Sequence, residues 1–526
     1  MLVKSLCAAS LLAGTVLAQS PVTVVVDTRL PGVAVPDDFA GLSFEASNLL
    51  PDQNGNHLFC AQNRPLIARF RGLGIKSLRI GGATADIARY PVPGPADIDG
   101  LFAFARAANV KVIYTLRLLN GDAARDAIIA RYIWQRHRPQ LACFALGNEP
   151  DWPSYHGKDP RITDYPSYLA DWKNFAAAIT NAAPGARIEG PCTGSNYPDP
   201  GAEDTDYQGH SWTWNFANDL KDSTLIAFVS QHDYPGQNGR RAASAAAARD
   251  QMLSPGWLDG YQVHYDAFAP AALAAHLPYR LEEVSNFSGG VAGASDTFAA
   301  ALWALDFMHW WAAHRADGVN FHNRRHILNA VIHPLSASAQ NYAIYPVGYG
   351  IKAFDLGGHG RALPLTISNA DDVNLTAYAV RGAGKLFVTL INKKHGPGAR
   401  DAAVTIVADG IARRAQMIVL AAPDDDVAAK TGVTLGGGII GDDGLWRGKW
   451  KTIQANRRGR CILEMPAATA AVLKLDTSRF SRRQRRGPVK RAGHRRQKRI
   501  AGTSSANHKS DGTRRWISSF PHQPKT

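Results

Sequence analysis

Two glutamates stand at or near the ends of short apolar runs in this 526-residue chain. Glu149 comes shortly after the apolar run 141–146, and Glu283 lies in the run 279–284, directly after Glu282. Two carboxyl groups on opposite sides of a glycosidic bond can hydrolyse it, because one protonates the leaving oxygen while the other acts as nucleophile or base. The two glutamates therefore predict a glycoside hydrolase, provided that the fold brings them together.

Repeating apolar segments supply elements that could do so. Between about residues 38 and 355 they alternate with amphipathic, helix-like stretches, and each is apolar on both faces, as parallel strands covered by helices are. Eight such units predict a (β/α)8 barrel, with a doubly wound open sheet as the alternative, although no GxGxxG or phosphate loop follows the first strand. The predicted strands are 41–46, 76–80, 110–116, 141–146, 187–190, 225–229, 279–284 and 319–322, and the predicted helices are 65–73, 98–108, 123–136, 165–182, 242–252 and 297–313.

A barrel fold would favour a catalytic role for the two glutamates over an ordinary structural one. Taken alone, Glu149 could belong to an ordinary turn before Pro150, and Glu283 could be a surface or salt-bridge residue. Catalytic groups of such barrels lie at the carboxyl ends of the strands, and these two follow the fourth and seventh strands, 134 residues apart. A carboxyl separation of about 5–5.5 Å is then reachable, which predicts a covalent intermediate and retention. Alternation along a strand places Glu282 and Glu283 on opposite faces, so at most one faces the mouth of the barrel.

The rest of the chain divides by pattern. Short alternating strands separated by Gly, Pro and Asp follow Phe354 and predict an antiparallel β-sandwich, which Val22–Val26 could join as an extra strand. The predicted segments are a signal peptide (1–18), the N-terminal strand region (19–36), the barrel (37–358), the β-sandwich (359–476) and a basic disordered tail (477–526). Asn374 begins a glycosylation sequon in the β-domain.

Charge and the N-terminal segment bear on location. A lysine, a short apolar run and small residues at Val16 and Ala18 predict a secretory signal cleaved after Ala18, and hence an extracellular protein without a membrane span. From residue 477 onward the chain contains 15 Lys and Arg and one acidic residue, Asp511. This tail therefore carries +14 of the net charge of +15. The tail could contact polyanions, or be a solvated appendage or a mis-spliced gene end. No nucleic-acid partner is expected, and the four cysteines that follow the signal segment show no metal-ligand spacing.

Several motifs follow one another in order between about residues 21 and 475. They are Gly41-Leu42-Ser43-Phe44-Glu45, Leu78-Arg79-Ile80-Gly81-Gly82-Ala83-Thr84-Ala85-Asp86, Gly147-Asn148-Glu149-Pro150-Asp151, Arg280-Leu281-Glu282-Glu283, Ser295-Asp296-Thr297-Phe298, Gly318-Val319-Asn320-Phe321-His322 and Pro346-Val347-Gly348-Tyr349-Gly350. Together they resemble glycoside hydrolase family 79, the β-glucuronidases related to heparanase. One departure stands beside Glu283, where the family commonly has E-x-N-S and this chain has Glu283-Val284-Ser285-Asn286.

The resemblance implies a role for each site residue. Glu149 is the acid/base, which must hold a proton near the working pH, and Glu283 is the nucleophile, which must stay ionised. The substrate would be a polysaccharide or glycoprotein side chain ending in β-linked glucuronic or 4-O-methylglucuronic acid, cleaved without metal or cofactor. An endo-acting, heparanase-like enzyme and a non-catalytic polysaccharide-binding relative are the alternatives. The further expected contacts are Tyr234 to Glu283, Asn148 to the sugar 2-OH, Asp86 to ring hydroxyls, and His322, Tyr349 and Gly350 to the substrate carboxylate.

Overall fold

The computed structural model describes residues 22–152, 159–194, 210–324, 327–334, 341–368, 373–456 and 459–477. The predicted signal peptide and the basic segment beyond residue 477 lie outside these ranges. Among the described residues, no helix is long and apolar enough to cross a membrane. All of the elements below belong to one compact unit.

Eight parallel strands form a closed barrel, which confirms the predicted fold class and excludes the open sheet. Each strand pairs with the next along the chain, and the eighth pairs with the first, for example Val319 with Ala40. Nearly all of their residues are buried, as the apolar sequence runs require. In chain order the barrel strands are Ala40–Glu45, Ser77–Gly81, Lys111–Leu116, Leu141–Leu146, Ile188–Thr193, Ile226–Asp233, Tyr279–Val284 and Val319–His322.

The seventh barrel strand is irregular at the two glutamates. Against the sixth strand, Gln231 pairs with Leu281 but His232 pairs with Glu283, so Glu282 is an extra residue. The pairing with the eighth strand shifts in the same stretch. Such a bulge breaks the regular alternation of side chains. The expectation that Glu282 and Glu283 face opposite sides is therefore wrong, because both carboxylates contact one guanidinium, that of Arg79.

Helices surround the barrel, and the sequence predicted six of them to within a few residues. The helix Trp212–Asp219 and the long helix Gly256–Ala274 were not predicted. The first is short, and the second contains Pro270 and has little polar patterning. The α-helices are Arg64–Leu73, Pro95–Ala108, Ala123–His137, Tyr165–Ala182, Trp212–Asp219, Ala245–Met252, Gly256–Ala274, Phe298–Ala313 and Pro346–Gly357.

Two further sheets, most of whose strands follow the barrel in sequence, pack on a shared apolar core. In the smaller sheet Val22–Val26 lies between Leu365–Ser368, antiparallel to it, and Ala402–Val407, parallel to it. Arg460–Met465 completes that sheet. The larger sheet contains Val33–Val35, Gly360–Leu363, Leu375–Gly382, Lys385–Asn392, Ile411–Ala421, Thr434–Leu435, Lys451–Gln454 and Thr469–Thr477, and a separate hairpin pairs Ile332–Pro334 with Tyr342–Ile344.

The barrel and the sheets meet at the helix Phe298–Ala313, which is buried on nearly every face. Asp306 on this helix accepts hydrogen bonds from the hydroxyls of Thr376 and Tyr378, both at 2.7 Å. The buried ammonium of Lys393 lies 2.9 Å from the same carboxylate. The Asn374 side chain donates to the Leu253 carbonyl. Asn374 and Thr376, both in the predicted sequon, therefore form hydrogen bonds across this interface. Glycosylation of Asn374 remains a prediction.

Candidate active site at the carboxyl end of the barrel

Glu149 is held at the end of the fourth strand in a strained conformation. Its φ of 48° lies in the left-handed region, which costs a residue with a side chain about 1–3 kcal/mol. The Glu149 N–H donates to the Cys192 carbonyl at 2.8 Å, which ties the turn to the end of the fifth strand. This turn directs the carboxylate toward the sixth strand, where Oε1 lies 2.8 Å from Nδ1 of His232.

Glu283 lies among hydrogen-bond donors and positive groups. The hydroxyl of Tyr234 donates to Oε1 at 2.7 Å, and Arg79 Nη1 donates to Oε2 at 2.6 Å. Nδ1 of His322 lies 3.3 Å from Oε1. Burial favours the neutral acid, but the charges of His322, His232 and Arg79 hold the pKa of Glu283 well below its usual range. This carboxylate therefore stays ionised, as a nucleophile must.

The two carboxylates face each other at short range. One oxygen of Glu149, one of Glu283 and a ring nitrogen of His232 all lie within 4.8 Å of one another. Retaining glycosidases place their carboxyl groups about 5–5.5 Å apart, whereas inverting enzymes leave about 6.5–9.5 Å for a water molecule. The approach of one oxygen from each carboxylate to within 4.8 Å is nearer to the shorter of these two separations.

Arg79, on the second barrel strand, lies inside the barrel and contacts several residues of the site. Its side chain is completely buried, and Nη2 donates to the Asn148 side-chain oxygen at 2.7 Å. Nε lies 3.3 Å from Glu282. A Cβ at Gly81 would lie 2.5 Å from this guanidinium, so the glycine leaves the room that Arg79 occupies. Burial opposes the charged form, yet the two glutamates raise the pKa of Arg79 further, so it remains cationic.

His232 lies between two carboxylates. Its Nδ1 faces Glu149, and its Nε2 lies 3.4 Å from Oε1 of Glu282. Burial would lower the pKa of this imidazole, but Glu283, Glu149 and Glu282 raise it to about 10. A proton is therefore retained on the ring, and His232 fixes the orientation of the Glu149 side chain.

Asn148 and Asp86 take different positions relative to the cleft. The side-chain oxygen of Asn148 is bound to Arg79, which fixes the direction in which its amide nitrogen points. Asp86 is completely buried, and its oxygens accept the backbone N–H groups of Leu118, Leu119 and Asn148 at 2.8–3.1 Å. Burial raises the pKa of Asp86 to about 6 against the effect of these donors. The structure thus gives Asp86 a positioning role under the Asn148 turn, and not the expected contact with sugar hydroxyls.

Tyr349 and Gly350 are placed in the packing of the barrel against the sheets. The Tyr349 hydroxyl accepts the Ile440 N–H at 3.3 Å. A Cβ at Gly350 would lie 2.2 Å from the Ala301 carbonyl, so the glycine permits close contact between two helices. These contacts differ from the expected role in binding a substrate carboxylate. Of the three residues expected to bind the substrate carboxylate, His322 is the one that lies next to Glu283.

No function was predicted from the sequence for Arg79 or His232, although Arg79 lies inside one of the motifs. A signal existed for Arg79, since a charged residue within a strand that is apolar on both faces must find a buried partner. For His232 the signal is weaker, because a lone histidine near a strand end has many ordinary uses.

Two groups of described residues have donor atoms close enough to share a small cation: Glu149, His232 and Glu283, and the deeper set of Glu189, Cys192 and Glu282. The protein's own cations already serve both groups, because Arg79 and His232 lie against their carboxylates. Glycoside hydrolysis by two carboxyl groups needs no metal. We assign neither group to a metal.

No family model matches the sequence, and no curated protein is significantly similar to it. Solved structures are similar in fold. A 4-O-α-L-rhamnosyl-β-D-glucuronidase from Fusarium oxysporum 12S has a TM-score of 0.65 at 18% identity, over 86% of this chain and 100% of that one. A family 51 arabinofuranosidase from Xanthomonas axonopodis pv. citri has a TM-score of 0.61 at 14% identity, covering 87% and 100%. A family 44 xyloglucanase from Paenibacillus polymyxa has 0.58 at 12%, covering 87% and 99%.

These likenesses show the fold, a parallel barrel carrying antiparallel sheets, as glycoside hydrolases of several families have it. Identities of 12–18% do not by themselves show which sugar is recognised. The assignment of chemistry rests on the side chains described above.

Proposed function

We propose that this chain is a retaining glycoside hydrolase that removes terminal β-linked glucuronic acid, or its 4-O-methyl form, from polysaccharide or glycoprotein side chains. The observation that carries the proposal is the approach of one oxygen of Glu149 and one of Glu283 to within 4.8 Å, together with the donors that keep Glu283 ionised. The expectation of a family 79 enzyme forms part of the same proposal.

The reaction follows from this asymmetry. Glu283 attacks the anomeric carbon while Glu149 gives its proton to the leaving oxygen, so that the glycosidic C–O bond breaks as the glycosyl–Glu283 ester bond forms. Water then enters, Glu149 takes its proton, and hydroxide transfer to the anomeric carbon releases Glu283. Tyr234 and Arg79 hold Glu283 in line throughout. Asn148, oriented by Arg79, is placed to donate to the sugar 2-OH.

His322 supports an acidic sugar as the substrate. Burial would lower the pKa of this imidazole, but Glu283 and Glu45 raise it, which favours the positive charge that a glucuronate carboxylate would share. A cavity of about 470 Å³ is lined by Asn323, the residue after His322, but not by His322 or by either proposed catalytic glutamate. The amide side chains of Asn48 and Gln62 line this cavity and suit sugar hydroxyls. The similar structure from Fusarium oxysporum 12S is itself named a glucuronidase.

The first test is an assay of the purified protein on p-nitrophenyl β-glucuronide, with the β-glucoside and the α-L-arabinofuranoside beside it. We expect turnover of the glucuronide alone, with the β-anomer as the first product seen by proton NMR. A 2-fluoro-glucuronyl fluoride should label Glu283, as peptide mass spectrometry would show. A first product of α configuration would contradict retention, and turnover of only the arabinofuranoside would contradict the substrate.

The alternative is an endo-acting enzyme. A reducing-end-labelled acidic oligosaccharide separates the two modes. Release of monosaccharide with a nearly full-length labelled product means exo action, and labelled fragments of intermediate length mean endo action. Secretion is a further proposal, which N-terminal sequencing of the exported protein would test through cleavage after Ala18.

A further inference from the structure

A second pair of carboxyl groups lies below the active site, inside the barrel. Glu189 on the fifth strand and Glu282 on the seventh are both completely buried, and the proposed mechanism uses neither directly. One oxygen of each and the Cys192 sulfur lie within 4.8 Å of one another. Among the described residues, neither oxygen of Glu189 and neither oxygen of Glu282 has a hydrogen-bond partner at normal geometry.

Two ionised carboxylates in this position would repel each other strongly, because the interior screens charge poorly. Glu282 has positive neighbours on two sides, Arg79 Nε at 3.3 Å and His232 Nε2 at 3.4 Å. Within the described part of the chain, no cation forms an ion pair with Glu189. A proton on Glu189 removes the repulsion and turns an unpartnered oxygen into a donor toward Glu282.

The groups that face this pair come from every adjacent element. They are Arg79 from the second strand, Cys143 from the fourth, Cys192 from the fifth, His232 from the sixth, Arg280 from the seventh and Tyr168 from the helix Tyr165–Ala182. Burial raises the pKa values of both thiols and of the tyrosine, so these groups are neutral. Burial and Glu282 likewise raise the pKa of Glu189. Burial would also raise the pKa of Glu282, but Arg79 and His232 outweigh it and hold this pKa below its ordinary value.

We propose that Glu189 and Glu282 hold one proton between them and that the remaining negative charge, on Glu282, acts through His232 to position and tune the acid/base Glu149. The charge of Glu282, 3.4 Å away, favours a hydrogen on Nε2 of His232, and this leaves Nδ1 to exchange a proton with Oε1 of Glu149, 2.8 Å away. Glu189 and Glu282 are positioning residues, since neither touches the substrate. The link to Glu149 rests on the proposed function, but the shared proton does not.

The shared proton is tested without substrate by thermal unfolding of the native protein and Glu189→Gln at pH 5, 6, 7 and 8. In the unfolded chain Glu189 loses its proton above about pH 4.3, whereas the folded native protein keeps it, so native stability falls as the pH rises. The glutamine side chain of the variant cannot titrate. The melting temperature of Glu189→Gln relative to the native protein should therefore rise by about 2–5 °C from pH 5 to pH 8. A difference that stays constant over this range would overturn the shared proton.

The link to Glu149 is tested by the pH dependence of kcat/KM on the glucuronide, with matched isosteric changes in the two partners. Glu282→Gln removes a negative charge beside the Glu149–His232 pair, which then loses its proton more readily. The basic limb of the profile should move about one unit toward acid. Glu189→Gln mimics the protonated acid and should leave that limb in place.

Other outcomes are equally decisive. An unmoved limb in Glu282→Gln would remove the connection to Glu149, and an equal shift in both variants would mean that Glu189 is ionised in the native protein. Stoichiometric divalent metal in the purified protein, lost in Glu189→Gln, would replace the shared proton with a cation. If no glycoside is turned over, the function proposed above fails, while the melting series still decides the shared proton.

Discussion

The barrel contains two pairs of glutamates that sit in opposite environments. The upper pair, Glu149 and Glu283, lies at the carboxyl end of the strands, where the Glu149 side chain is 16% exposed and donors surround Glu283. The lower pair, Glu189 and Glu282, is completely buried, neither carboxylate accepts a hydrogen bond from the described residues, and Glu282 lies beside Arg79 and His232. Similar spacing therefore produces different chemistry, because solvent access and donor placement decide which carboxyl group is ionised.

Arg79 and His232 lie between the pairs and contact both. Arg79 reaches Glu283 above and Glu282 below, and His232 reaches Glu149 above and Glu282 below. Charged side chains therefore connect the two pairs directly. A change in the charge of one pair should alter the electrostatic environment of the other. The following substitutions test how far the two pairs differ.

Glu283→Gln should have the largest effect. It removes the nucleophile while preserving shape and the contact with Tyr234, so kcat should fall by about 10⁴–10⁶-fold, as it does when other enzymes lose a nucleophile. The melting temperature, measured in parallel, separates loss of chemistry from loss of fold. Residual activity above about one per cent of the native value would show that Glu283 is not the nucleophile.

Glu149→Gln should lower kcat by about 10²–10⁴-fold on a sugar leaving group, the range expected for a general acid. The loss should be much smaller for attack on a 2,4-dinitrophenyl glucuronide, because that leaving group departs without a proton. Values of kcat/KM on the two substrates give the comparison, because they report the first step alone and not the later step in which Glu149 acts as base. Equal losses on both would remove Glu149 from the role of acid.

Arg79→Met should destabilise the fold by about 3–5 kcal/mol, since it leaves two buried carboxylates without their shared cation. Denaturant unfolding measures this change. The matched control is Ser43→Ala, which removes only the 3.2 Å hydrogen bond from Nη1 of Arg79 and should cost about 1 kcal/mol. Similar costs for the two variants would show that the ion pairs contribute little.

Tyr349→Phe should have the smallest effect, because it tests a residue that the structure places away from both pairs. Loss of the hydroxyl leaves the Ile440 N–H without its acceptor, which should cost about 1 kcal/mol of unfolding free energy, with kcat and KM unchanged. A KM for the glucuronide raised about tenfold would restore Tyr349 to the substrate-binding residues.

Much of the fold was predictable from pattern alone. The fourth, seventh and eighth barrel strands have the predicted bounds, and the others differ by a few residues, because buried parallel strands leave long apolar runs between polar helix faces. The short helix Trp212–Asp219 and the helix Gly256–Ala274 were missed. Their sequences carry little periodicity of their own, and packing against the barrel decides their structure.

The site was predicted in part. The contact of Tyr234 with Glu283 and the nearness of His322 are present in the structure, whereas Asp86 binds backbone N–H groups and Tyr349 and Gly350 take part in packing. Strand alternation failed at Glu282 because a bulge inserts one residue there. A bulge of this kind cannot be predicted from the local sequence, because the bulge arises from the pairing of neighbouring strands.

By itself the sequence determined the order of strands and helices and the two glutamates that end up facing each other, because these follow from local apolar patterning and from chain order around a barrel. The environment of every charged group was decided by the tertiary structure. Arg79, His232, Glu189 and Glu282 come from four different strands, and their contacts exist only where the barrel closes. Ionisation depends on those contacts and on exclusion of water, neither of which a residue carries in its own sequence neighbourhood.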